Sequence, residues 1–198
     1  MRLTVRVWRQ SDASVPGAFA EYDVDDASAD MSLLELLDHL NEQLVGRGVE
    51  PVAFDSDCRE GICGACGITV DGRAHGPTPN VASCHQYLRS FDDGATVTLE
   101  PFRTGAFAVV RDLVVDRSAL DRVIAAGGFV SVDAGTAPDA DSSPLIHEVA
   151  EAALDMAACI GCGACVAACP NGSAHLFAGA KLAHLAVLPR GSREWGRR

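Results

Sequence analysis

The chain opens on alternation. Apolar and polar residues alternate from Leu3 to Trp8 and again from Ala18 to Val24, which is the period of a half-buried strand. Ser11 to Gly17, ending in Pro16-Gly17, reads as the turn that makes them a hairpin. The period then lengthens. Leu33, Leu37, Leu40 and Leu44 recur at helical spacing behind Ser32-Leu33-Leu34-Glu35, a capping box, and Gly46 or Gly48 can end that helix. Pro51 to Phe54 and Gly67 to Val70 read as short strands, Asp71-Gly72 as a tight turn, Arg73 to His75 as the returning strand and Thr96 to Glu100 as the last one. Two strands, a helix packed across them and further strands predict a β-grasp sheet spanning residues 1–103 of an α+β chain.

From Phe102 the pattern turns helical. Asp116 is predicted to cap a helix through Ser118, Leu120, Val123 and Ile124 that stops at Gly127-Gly128. Asp133 to Pro144, rich in Asp, Ser, Ala and Pro, reads as a long loop. A helix from about Leu145 to Met156 and another from Ala174 to Leu188 follow, then a basic tail from Arg190 to Arg198. The last helix is of small and apolar residues interrupted by His175, Lys181 and His184. It is expected to be an ordinary amphipathic core helix, the alternative being a face turned to a membrane-anchor subunit. Residues 104–198 are thus predicted to form a second, helical unit.

Between these elements lie the cysteines. Cys58, Cys63 and Cys66 have four and two residues between them, and Cys84 follows after seventeen more. This is the plant-type ligand spacing for a [2Fe–2S] cluster, in which four thiolates share two irons. Gly61 and Gly64 suit the tight loop that must carry three of the sulfurs. Disulfides are the first alternative, but Met1 to Val5 runs straight into a strand pattern with no resemblance to a signal peptide. A structural zinc site is the second. It ordinarily shows two short Cys-x-x-Cys knuckles, whereas one half here is the lone Cys84. Arg59 either offsets cluster charge or forms a solvated pair on the loop. His75 and His85 are expected to be surface or core histidines, since four cysteines leave no vacancy for histidine.

The second group is Cys159-x-x-Cys162-x-x-Cys165-x-x-x-Cys169-Pro170, the bacterial ferredoxin run. Its first three cysteines hold one [4Fe–4S] cluster and its fourth ligates a different one. Cys169 should therefore point away from Cys159, Cys162 and Cys165. Net charge adds a restriction. At −11 it argues against nucleic acid and against direct binding to an anionic membrane. No apolar run approaches a membrane span of about 18 residues, so membrane association would have to go through a partner.

Three stretches carry a family resemblance: Asp57-Cys58-Arg59-Glu60-Gly61-Ile62-Cys63-Gly64, Asp112-Leu113-Val114-Val115-Asp116-Arg117 and Cys159-Ile160-Gly161-Cys162-Gly163-Ala164-Cys165. Over nearly the whole chain the sequence resembles the iron–sulfur subunit of succinate dehydrogenase and fumarate reductase. Pro170-Asn171-Gly172-Ser173-Ala174 looks like menaquinone-type or actinobacterial members. The resemblance implies an electron wire. A flavoprotein with covalent FAD oxidises succinate to fumarate. Electrons then pass through [2Fe–2S], [4Fe–4S] and [3Fe–4S] centres to quinone, expected to be menaquinone, at a membrane-anchor cytochrome b subunit. By position Cys169 would ligate the [3Fe–4S] centre. The expected location is peripheral, on the cytoplasmic face of the cell membrane. The family continues with a third cysteine group, and no cysteine follows Cys169 here, so a truncated member is expected, with the last two clusters incompletely ligated. Ubiquinone-reducing members carry a tryptophan where Asn171 to Ser173 stand, so no quinone-site residue is carried over. A free-standing two-cluster ferredoxin and a zinc-bound interaction module are the competing functions.

Overall fold

The structure, a computed structural model, describes residues 1–129 and 146–187. The expected loop Asp133 to Pro144, the start of the next helix at Leu145, Leu188 and the tail from Arg190 lie outside the described residues.

The predicted alternation becomes strands β1 (Leu3–Arg9) and β2 (Ala18–Val24), paired antiparallel from Leu3↔Val24 to Arg9↔Ala18. β3 (Ile68–Val70), β4 (Arg73–Ala74) and β5 (Thr96–Pro101) complete a sheet of order β2-β1-β5-β3-β4. β1 and β5 run parallel, so the chain must cross over between them, and helix α1 (Leu33–Gly46) lies in that connection. The result is a β-grasp. Val5, Val7, Val70, Val97 and Leu99 turn one face of the sheet inward, each at 0% exposure, as the period of two requires. Against it α1 buries Leu33, Leu34, Leu36, Leu37, Leu40 and Leu44. That stripe is wider than the i, i+3, i+4 leucines alone. Each such burial stabilises by about 1.5–3 kcal/mol.

The caps are as the sequence implies. Ser32 Oγ accepts from the Glu35 backbone N–H, and the Glu35 carboxylate accepts from that of Ser32 at 2.6 Å. This second bond holds the Glu35 carboxyl below its usual range. Gly48 ends the helix at φ +70°, where the Val49 N–H returns to Leu44 O. Asp71 and Gly72, both at positive φ (48° and 76°), make the β3–β4 turn.

One expected strand does not form. Pro51 to Phe54 is not part of the sheet. Its Val52 N–H and C=O are taken by the Asn41 side chain, and its Ala53 N–H by Asp112 Oδ2. With those backbone groups spent on side chains, little is left for a ladder. Asp112, 2% exposed, also accepts from the Gln10 N–H and Arg9 Nε. It sits in the turn between two short strands that the pattern did not announce, β6 (Val109–Arg111) and β7 (Val114–Val115).

The expected cap at Asp116 is displaced by one position. The N-cap of α2 (Ser118–Val123) is Arg117, whose side chain makes no capping bond, while Asp116, one residue earlier, accepts from the Ser118 N–H at 2.8 Å. The helix loosens into one wide turn over Ile124–Gly128. Then come α3 (His147–Ala157), α4 (Ala164–Ala168) and α5 (His175–Val187). A second core of Phe102, Phe107, Val115, Leu120, Val166 and Phe177 joins α2, α4 and α5. The expectation of an ordinary amphipathic α5 needs correction. Its buried face carries Phe177, Lys181, His184 and Leu185, while Leu176 and Leu182 are 51% and 68% exposed. Lys181 is drawn in because its ammonium donates to Cys159 O at 3.0 Å.

Candidate metal centre

The first cysteine loop leaves α1's flank and returns at β3. Arg59, Gly61 and Gly64 all hold φ between 55° and 71°. That conformation coils the backbone so that its N–H groups face inward. The N–H groups of Glu60 and Cys63 lie 3.3 Å from Cys58 Sγ, and that of Ala65 lies 3.4 Å from Cys63 Sγ. N–H groups of Glu60, Ile62 and Cys63 pull the Cys58 thiol down to about 7. Cys84 stands on a short turn, Ser83–His85, and its N–H faces Cys66. Cys66 is buried, and burial pushes its thiol up to about 12. Cys58, Cys63, Cys66 and Cys84 are thus neighbours in succession. Arg59 pairs with Asp38 of α1 through both terminal nitrogens. After Asp38 and Glu35, the Cys84 thiolate is among the charges that favour its charged form, so the pair and the charge offset coexist.

In the second group, Gly161 (φ 69°) and Gly163 (φ 84°) wind the backbone around Cys162. A side chain at Gly163 would lie 3.0 Å from both Phe107 and Leu120. Burial raises the Cys162 thiol, opposed by the Ala164 N–H at 3.5 Å, while the charges of Cys165 and Cys159 act on it as well. Cys169 caps the end of α4 and has its own donors: the N–H groups of Ser173, Asn171 and Gly172 lower its thiol. N–H groups aimed at the sulfurs suit thiolates carrying an iron–sulfur core. Among the described residues, no three His, Cys, Asp or Glu side chains gather as they would around one metal ion. The fit to clusters therefore rests on the succession of neighbouring thiols and these donors.

The two groups meet. A Cβ on Gly64 would lie 2.8 Å from Ile160 O and 2.9 Å from Cys162 Cα, so the two loops touch backbone to backbone. Arg117 fastens them: one terminal nitrogen donates to Gly64 O and the other to Gly161 O at 2.9 Å. His75 lies at the same seam, 7% exposed. Its Nδ1 accepts from the Ser83 N–H at 3.1 Å, and its Nε2 lies 3.3 Å from Cys162 Sγ. Burial drops its pKa to about 4. Of the two environments the sequence left open for His75, the core is the one found. Arg117 stood in a recognised stretch with no role assigned. The only local hint for either was its nearness to a cysteine or to that motif.

Residues 4–122 match the family described as the 2Fe-2S iron-sulfur cluster binding domain. The chain belongs to that family. Residues 152–173 of this iron–sulfur protein match a 4Fe-4S binding domain. It is similar to the fumarate reductase iron-sulfur subunit of Wolinella succinogenes, 32% identical over 173 residues, with 84% of this chain and 66% of that protein covered. The succinate dehydrogenase iron-sulfur subunit of Bacillus subtilis is 31% identical over 127 residues, covering 64% and 46%. In fold it resembles a chain of the Mycobacterium smegmatis Sdh1 complex in the apo form, with TM-score 0.61, 24% identity and 85% and 63% coverage. This iron–sulfur protein spans roughly half to two-thirds of the length of these curated relatives. Among its described residues no helix is long and apolar enough to cross a membrane.

Proposed function

We propose that this chain is the electron-transfer subunit of a succinate:quinone oxidoreductase or fumarate reductase, relaying single electrons between the FAD of a flavoprotein subunit and quinone at a membrane anchor. In this reading Cys58, Cys63, Cys66 and Cys84 hold [2Fe–2S], Cys159, Cys162 and Cys165 take part in holding [4Fe–4S], and Cys169 serves [3Fe–4S]. The clusters supply one-electron chemistry. The chain supplies position, burial and donors to sulfur. The unit over residues 1–103 faces the flavoprotein, and the unit over 104–198 faces the anchor, which would be a cytochrome b subunit with menaquinone on the cytoplasmic side of the membrane.

The observation that carries the reading is the contact of Gly64 with Cys162 under the Arg117 clasp. It sets the two thiol groups side by side, as a relay needs. The test is reduction of the iron- and sulfide-reconstituted chain by succinate. Reduction is expected only when a succinate dehydrogenase flavoprotein subunit is added, seen as bleaching in the visible and a spin-half resonance. Failure with the flavoprotein present, alongside ready exchange with small soluble carriers, would favour the free-standing ferredoxin.

A further inference from the structure

One side chain bridges the two cysteine groups without belonging to either. His75 follows β4 at a left-handed φ of 65°, a conformation that costs energy for a residue with a Cβ. Its surroundings over-determine it. Its N–H is bonded to Ile68 O. Phe102 meets the ring edge-on at 5.3 Å. The turn that follows is braced by the fully buried Gln86, which accepts from the Thr78 N–H and donates to Thr78 Oγ1. Gly76, at φ 119°, lets that side chain in: a Cβ there would lie 2.7 Å from Gln86 Oε1.

The tautomer follows from the donor. Nδ1 faces both the Ser83 backbone N–H at 3.1 Å and the Ser83 hydroxyl at 2.9 Å. The N–H can only donate and the hydroxyl can donate as well, so Nδ1 is assigned as the acceptor and the ring proton to Nε2. Nε2 is 3.3 Å from Cys162 Sγ and donates to it. Ser83 is itself fully buried and adjoins Cys84, so the orientation of the donor is fixed by the backbone beside the first group. An N–H bond to a ligand sulfur stabilises the more negative, reduced state more than the oxidised one, and a buried site strengthens the effect.

We propose that His75 is a positioning residue that orients the Cys162 thiolate and, through its Nε2–H bond, raises the reduction potential of the cluster held at Cys159, Cys162 and Cys165 without altering the one at Cys58, Cys63, Cys66 and Cys84. This rests on the cluster assignment above.

The test compares the full chain, reconstituted with iron and sulfide, as wild type, His75→Leu and His75→Gln. Each is titrated electrochemically while the resonances of both clusters are followed in one sample, so the first cluster is an internal reference. At the potential where the second wild-type cluster is half reduced, His75→Leu should lower its reduced-to-oxidised ratio about five- to tenfold. The first midpoint should stay put, and His75→Gln, which keeps an N–H donor, should recover part of the loss. A change below about twofold in the Leu variant, or equal movement of both midpoints, overturns the proposal while leaving the cluster assignment standing. If wild type shows only the first resonance, this chain by itself holds no second cluster for His75 to tune and the proposal falls. If the Leu variant loads no second cluster, the Gln variant decides: restored loading supports the donor role, and no restoration overturns it.

Discussion

Gly64 lies so close to Cys162 that a single methyl group could not be placed between them: its Cβ would sit 2.9 Å from Cys162 Cα. Two loops almost a hundred residues apart in sequence thereby share one seam. Gly64→Ala should break it. The substitution meets backbone rather than a yielding side chain, and it adds the strain of a φ of +71°. Gly72 is the control, at φ +76° with nothing within 4 Å. Gly72→Ala should cost about 1 kcal/mol, the strain alone. Gly64→Ala should cost clearly more in urea titration, and equal losses would refute the seam.

Arg117 should resist its conservative replacement. A guanidinium reaches two carbonyls at once, and an ammonium on a single stem does not reproduce the fork. Arg117→Lys is expected to lose about 1–3 kcal/mol, with the visible spectrum of the first cluster retained. Iron content would fall at the second group, because Gly161 O loses its donor. A Lys variant with wild-type stability and iron content would contradict the clasp.

The cysteines of the iron-free protein should titrate unlike one another. The Cys58 pKa is depressed to about 7 and the Cys66 pKa is raised to about 12, on either side of an ordinary thiol near 8.5. Carboxamidomethylation mapped by mass spectrometry should therefore accelerate at Cys58 through pH 7 and leave Cys66 unmodified there. Linkage gives the signs. The Cys58 contribution to stability is present above the ordinary thiol value and is lost as pH falls through about 7. The Cys66 contribution is present below the ordinary value and is lost as pH rises toward 12. Alkylation of Cys66 ahead of Cys58 at neutral pH would show that the loop is not folded as described.

Asp112 should matter out of proportion to its place in a surface hairpin. It is 2% exposed and accepts from Gln10 N–H, Arg9 Nε and Ala53 N–H. Asp112→Ala strands those donors and leaves the Arg9 guanidinium short of its anion, at a cost of about 3–5 kcal/mol. Asp112→Asn keeps the shape and should recover part of that in chemical denaturation. A loss below about 1 kcal/mol for the Ala variant would show that water satisfies the donors instead.

The β-grasp strands, the capped helix and the Asp71-Gly72 turn were legible in the chain itself. Their causes are local: a period of two, a period near four, a capping box, and residues that tolerate positive φ. The cysteine spacings were legible for the same reason, since a cluster loop is a short-range object. What no periodicity carries is a bond between distant positions. Pro51 to Phe54 looked like a strand, and only the arrival of Asn41 and Asp112 assigned its backbone elsewhere. His75 looked like any histidine near a turn until folding set Cys162, 87 positions on, against its Nε2. Arg117 reaches Gly64 across 53 positions. In α5 the polar Lys181 went inward because the carbonyl of Cys159 was there to receive it, while Leu176 and Leu182 stayed out. Local preference thus specifies the elements and the ligand loops. Their docking, and the donors it brings to sulfur, follow from desolvated partners that only the assembled chain brings together.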